Sequence, residues 1–163
     1  MAFEPTYTIG TRIGDTYQIT EATATERRES YAARTAEHMV TLDSPARRLL
    51  ADRKVRDAFN QTAALWLSLD VHSNVQGCYR VETHDGVPFI IAEYVGARTL
   101  ANLFKASAAD SQEGAPVHPL PIKQALDLAI QICRGLAHIV KQRPGFVHRS
   151  LRPAAVSLSG SES

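Results

Sequence analysis

The sequence predicts an α+β fold: an antiparallel sheet carrying one long helix, then the opening helices of a second region. Three observations predict it. Short runs rich in β-branched residues alternate polar and apolar positions through much of the first 95 residues, the period of a half-buried strand. Asp85-Gly86 separates two such runs, and that dipeptide favours a two-residue hairpin. Two longer stretches, 44–69 and 122–142, place apolar residues three and four apart, which gathers them on one side of a helix.

Taken in order, residues 1–16 read as a polar leader. "TYQITEATA" (16–24) is a strand, "ERRE" (26–29) a charged turn, and "SYAART" and "EHMVTL" two short strands. In the helix over 44–69, Ser44 stands where a cap belongs and Pro45 suits the first turn. Val55, Phe59, Thr62, Trp66 and Leu69 share one face of it, and Thr62 is the polar member of that stripe. "VQGCYRVET" and "VPFIIAEYV" form the hairpin, "TLANLFKA" a short helix, and "SAADSQEGAPVHPLP" (107–121) reads as a mobile loop. The helix 122–142 carries two adjacent apolar stripes: Ile122, Leu126, Ala129, Cys133, Leu136 and Val140, then Ala125, Leu128, Ile132 and Ile139. An arc that wide wants cover on more than one side.

Composition narrows the function. The 163 residues suffice for one domain, or a small domain and part of another. A net charge of +1 gives no field that would draw nucleic acid or an anionic membrane. No apolar run reaches membrane-spanning length, and "MAFEPTYTIG" lacks the basic and apolar regions of a signal peptide. Cytoplasmic residence, without nucleic-acid or membrane partners, is the expectation. Cys78 and Cys133 read as two buried thiols. His72, Cys78 and His84 match no zinc spacing, so no metal site is expected.

The closing stretch "GFVHRSLRPAAVSLSG" (145–160) has the shape of a catalytic loop without a carboxylate or carboxamide. Taken alone it is a basic turn. In sequence order, however, five pieces agree. "GTRIGDTYQI" resembles the leader into the first strand of bacterial protein kinases. "SYAAR" resembles the Val-Tyr-x-Ala-Arg after the glycine loop, and "FNQTAALWLSLDVHSNV" the end of the regulatory helix with His-Pro-Asn-Ile-Val. "GVPFIIAEYVGARTL" resembles the fifth strand and hinge, and "ALDLAIQICRGLAHI" with the closing stretch resembles the helix and the His-Arg-Asp-Leu-Lys-Pro-x-Asn loop. Together they are similar to the first half of a serine/threonine protein kinase domain, from about Gly10 to Gly160.

The resemblance implies an N-terminal lobe over 17–95, a partial C-terminal lobe over 96–160 ending at the catalytic loop, and a short tail, 161–163. It also implies that the chemistry is degenerate. The glycine-loop region, Ala24–Glu29, has no glycine; the strand lysine falls at Thr41 or Leu42; and its glutamate partner matches Thr62, which is expected to sit inward. Ser150 stands for the base aspartate and Ala155 for the metal-binding asparagine, while His148 and Arg149 are retained framework. No catalytic residue and no metal are therefore expected. The hinge residues Glu93 and Val95 remain weak candidates for metal-independent purine nucleotide binding, with Ala92 leaving room beside them. The resemblance points to a truncated pseudokinase acting as an interaction or regulatory module, through a protein partner or self-association on helix 122–142. An inert remnant of a decayed or split kinase gene is the first alternative, and a divergent phosphotransferase the second.

Overall fold

A computed structural model of the chain describes residues 3–96, 98–109 and 120–158. Six antiparallel strands form one sheet in the order β1-β2-β3-β4-β6-β5. They are β1 (Arg12–Ile13), β2 (Tyr17–Ala24), β3 (Arg28–Arg34), β4 (Met39–Pro45), β5 (Cys78–His84) and β6 (Val87–Glu93). The helices are α1 (Arg53–Leu67), α2 (Leu100–Ala109) and α3 (Ile122–Gln142). The chain divides into two compact units, Met1–Val71 with Gln76–Tyr94, and His72–Val75 with Val95–Ser163.

Strand alternation sets the core of the first unit. Tyr31 and Ala33 of β3, Val40 and Leu42 of β4, and Phe89 and Ile91 of β6 all point to one side and are buried together with Ile13, Tyr17 and Ile19. The sheet curls around them. Tyr17, near one edge of the sheet, donates its hydroxyl to Glu82 Oε2 on the opposite edge strand at 3.0 Å, and Arg80 and His84 bond the same carboxylate. The hairpin turn is as expected: Asp85 and Gly86 both take positive φ, 50° and 75°, as a type I′ turn requires. On the other side of the sheet Ile90 and Ala92 meet Ala63 of α1, with Phe59, Trp66 and Cys78 packed around them.

Several expectations need correction. The leader is not a polar tail: Tyr7 packs on the core, Ile13 is buried, and Thr6 is tied to Glu29. The charged turn is shorter than 26–29. The Thr25 hydroxyl accepts the Arg28 N–H at 3.1 Å, so the hairpin closes early and Glu29 enters β3 as a buried residue. The long helix starts at Arg53, not Ser44. Ser44 and Pro45 finish β4, opposite Glu29 and Arg28, and the Asp52 carboxylate caps α1 by accepting the Lys54 N–H at 2.8 Å. Proline at the end of a strand forfeits little, because no further ladder bond is required of it.

Thr62 is exposed rather than inward. Its hydroxyl bonds back to the Ala58 carbonyl at 2.9 Å, and the neighbouring Ala63 takes the buried position. A methyl group is what lets α1 lie close on Ile90 and Ala92. Cys78 is half-buried, and Cys133 is exposed, not buried.

In the second unit α3 has the expected bounds, Ile122–Gln142. The segment His72–Val75 lies on it at Gly135, where an added Cβ would come within 2.4 Å of the Asn74 carbonyl oxygen. His72 stacks on His138 with ring centroids 4.4 Å apart, and Asn74 Nδ2 donates to Gln131 at 3.3 Å. Of the two stripes on α3, the second is the better covered, with Ala125, Leu128 and Ile132 half-buried and Ile139 buried; of the first, Leu136 is half-buried. The rest of the first is open: Ile122, Leu126, Ala129, Cys133 and Val140 are exposed, as is Ile130 beside them. α2 extends to Ala109, three residues into the expected loop 107–121, most of which lies outside the described residues, as does the tail 161–163.

Candidate functional site

The side of the sheet opposite the closed core is where α1 packs, and its residues follow from register. Ala32, Thr41 and Ala92 stand abreast on β3, β4 and β6, with Glu21 of β2 beside Ala32. The next row is Thr23, Ser30, Asp43 and Ile90. Leu42, the other sequence candidate for a lysine position, belongs to the core side and is fully buried. Thr41 and Asp43 therefore share the α1 side.

Asp43 is 9% exposed, and its Oδ1 has no hydrogen-bond partner among the described residues. Arg28 reaches toward it diagonally, Nε to Oδ1 at 3.9 Å, from a side chain two-thirds exposed. Screening by solvent leaves such a pair weak. Sequence reading passed over Asp43. The available signal was alternation: with Val40 and Leu42 inward, residues 41 and 43 had to share the other side.

At the end of β6 every backbone group of Glu93 is already engaged. Its N–H donates to the Gly77 carbonyl at 2.8 Å. Its carbonyl accepts two bonds, from Gln76 Nε2 at 2.7 Å and from the Thr41 hydroxyl at 3.2 Å. Its carboxylate accepts the Gly77 N–H at 3.1 Å. The structure thus joins two of the expected positions, Thr41 and Glu93, by a direct hydrogen bond. Val95 belongs to the second unit and is half-buried.

The strap Thr6–Tyr7 is fixed from behind by Glu29. This carboxylate accepts from the Thr6 N–H and hydroxyl, the Arg47 N–H at 3.2 Å, and the Tyr31 hydroxyl. Burial works against the charge, but these bonds outweigh it and hold the Glu29 pKa below the ordinary carboxylate value. Burial, reinforced by the bond to Glu29, pushes the Tyr31 phenol well above its ordinary value. The same balance operates at Glu82, where bonds from Arg80, His84 and Tyr17 overcome burial and lower the pKa.

The loop after α3 lies in the second unit. His148, Arg149, Ser150 and Ala155 are all exposed. His148 is therefore not a core residue; its ring meets the edge of Phe146, at 6.3 Å between centroids. Arg149 has φ of 59°, and the Ser150 N–H donates to the His148 carbonyl at 2.7 Å, forming a tight bend. Ala155 ends a 3-10 turn, Pro153–Ala155, and the chain beyond it pairs with the approach to α2: the Leu100 N–H donates to the Val156 carbonyl at 2.9 Å and the Leu158 N–H to the Arg98 carbonyl at 2.9 Å. No carboxylate or carboxamide side chain occurs between Phe146 and Leu158. Among the described residues no three His, Cys, Asp or Glu side chains gather as a metal site would require, and no helix is long and apolar enough to cross a membrane.

Comparison with known proteins fits this architecture. A family model described as protein tyrosine and serine/threonine kinase matches residues 18–161. Among solved structures, the Mycobacterium tuberculosis PknI kinase domain is similar with a TM-score of 0.69 at 18% identity, covering 94% of this chain and 59% of that one. A variant of the same domain gives 0.71 at 19% identity, covering 94% and 58%. At that identity the likeness shows the fold, and the chain spans about three fifths of the kinase domains it matches. No curated protein sequence matches.

Proposed function

Because the chain belongs to the protein tyrosine and serine/threonine kinase family, with an α+β kinase-lobe fold, we propose that it is a pseudokinase-type module that works by binding another protein surface rather than by transferring phosphate. One observation carries the reading: Ser150 and Ala155, which the kinase resemblance matches to the base and metal positions, are exposed in the loop 146–158 and have no acidic or amide neighbour in that loop. Phosphoryl transfer depends on positioned groups and metal-held charge. A serine hydroxyl without its own base does not take a proton at neutral pH, and a methyl group offers magnesium no oxygen. General acid–base help alone is worth about 10²–10⁴ in rate.

The open stripe of α3 supports the interaction half of the reading. Ile122 is 76% exposed, Leu126 55% and Ile130 47%. At about 25 cal/mol per Å², covering three such side chains contributes on the order of several kcal/mol. A second copy of this chain is the simplest cover, because it needs no other component. Sedimentation velocity over a dilution series tests this. The expected result is an association that weakens on dilution and is lost in Leu126→Lys. A monomer at every concentration that binds no apolar dye would overturn the proposal.

A further inference from the structure

We infer that strand β4 closes the nucleotide face of this lobe from within: Thr41 occupies the hinge acceptor that an adenine amine would need, and Asp43 puts a carboxylate where a nucleotide's phosphates would lie. The inference goes beyond the reading above, which rests on the loop 146–158 and on α3.

The geometry is all within the first unit. A purine held at the end of β6 presents an exocyclic amine to a main-chain carbonyl, and a carbonyl oxygen has two lone pairs. At Glu93 both are used, one by Gln76 at 2.7 Å and one by Thr41 at 3.2 Å. Thr41 sits on the α1 side abreast of Ala92, so its hydroxyl reaches that carbonyl from the same side of the sheet as Ala92. Ala92 itself is fully buried against Ala63 of α1, and the hydrogen bond that would orient a base at the Glu93 carbonyl is taken.

Asp43 follows by strand geometry. A nucleotide anchored by its base extends its phosphates away from the hinge. Two residues along β4 from Thr41, roughly 6.8 Å further on, the next side chain on the same side is Asp43, abreast of Ile90 and Ser30. The kinase strand motif Val-Ala-Ile-Lys places its alanine and lysine at this same spacing, and Val40-Thr41-Leu42-Asp43 fills it with threonine and aspartate. By that spacing the lysine position is Asp43 rather than Thr41 or Leu42, with the charge inverted. Arg28, one row further along and opposite Pro45, is already directed at Asp43, at 3.9 Å. Glu21, in the row of Thr41, adds a second carboxylate and is held by the Tyr94 hydroxyl at 3.0 Å. A polyanion would meet two carboxylates and one engaged guanidinium.

Titration calorimetry of the full chain with adenosine, and separately with ATP with and without magnesium, tests this. The wild type is expected to show no saturable binding of either ligand below about 1 mM. Thr41→Ala frees one lone pair and should bind adenosine at least about tenfold more tightly, whereas Thr41→Ser, which keeps the hydroxyl, should not. In the Thr41→Ala background, Asp43→Asn should raise the affinity for ATP relative to adenosine by about tenfold. Circular-dichroism melts establish that each variant is folded; should Thr41→Ala unfold, Thr41→Val removes the hydroxyl while keeping the side-chain size. Saturable wild-type binding below that limit overturns the inference, as does a folded hydroxyl-free variant with no gain for adenosine. Neither outcome depends on self-association or phosphate transfer, so the two readings fail separately.

Discussion

The two units treat the same kind of side chain in opposite ways. In the first, Leu42, Phe89 and Ile91 are completely buried inside a sheet that curls until Tyr17 bonds Glu82 across its edges. In the second, α3 buries Ile139 and leaves Leu126 more than half exposed. A residue of the first kind contributes stability the lobe holds by itself. A residue of the second kind contributes only once something covers it, so the exposed apolar residues on α3 are those that the proposed association would cover, while their equivalents in the sheet are core.

The sharpest way to break this comparison is Phe89→Ala. It removes a fully buried ring that also touches Tyr7, Tyr31 and His84, and should cost about 3–5 kcal/mol in a denaturant melt. A loss below 1 kcal/mol would mean that the sheet core is loose. Gly135→Ala probes a place where α3 is tightly covered. Its new methyl meets backbone at 2.4 Å, so a cost of about 1–3 kcal/mol is expected, read as earlier melting.

Glu29→Gln should cost about 1–2 kcal/mol, since four donors lose a charged acceptor. It also carries a pH signature. Glu29 and Glu82 have lower pKa values folded than unfolded, so the unfolded chain binds more protons over that interval. The stability these carboxylates provide is complete above their unfolded values, near pH 4.3, and is lost as pH falls through the depressed folded values. Replacing Glu29 should make the acid limb of stability shallower; an unchanged limb would show that its bonds are not formed in solution. The smallest effect belongs to Leu126→Ala, within about 0.5 kcal/mol for the isolated chain, with association weakened. A large loss there would put Leu126 in a core.

Much of this was legible in sequence. Helix α3 has its predicted bounds because twenty-one residues of sustained 3.6-residue periodicity leave few alternatives. The Asp85-Gly86 hairpin is legible because only a few residue types tolerate positive φ. The errors share a cause: local signals were outvoted by tertiary ones. Ser44-Pro45 looks like a helix start, yet ladder pairing with Glu29 and Arg28 keeps it in strand. Thr62 fits a stripe one residue out of phase with Ala63, and close packing on Ile90 and Ala92 selects the smaller side chain. The leader is polar in composition, but a buried carboxylate twenty-three residues away holds it down. Asp43 escapes a reading that puts the lysine at Thr41 or Leu42, although Leu42 faces the core and alternation along β4 then sets Thr41 and Asp43 together on the α1 side.

The most direct test of the central claim is phosphate transfer itself. Purified chain, incubated with magnesium and γ-labelled ATP together with generic serine, threonine and tyrosine acceptors and with itself, should transfer no label above a protein-free control. That result is expected from Ser150, Ala155 and Asp43 jointly. Transfer that exceeds the control and disappears on Ser150→Ala would contradict the account, because it would give the loop 146–158 the chemistry that its residues are argued to lack.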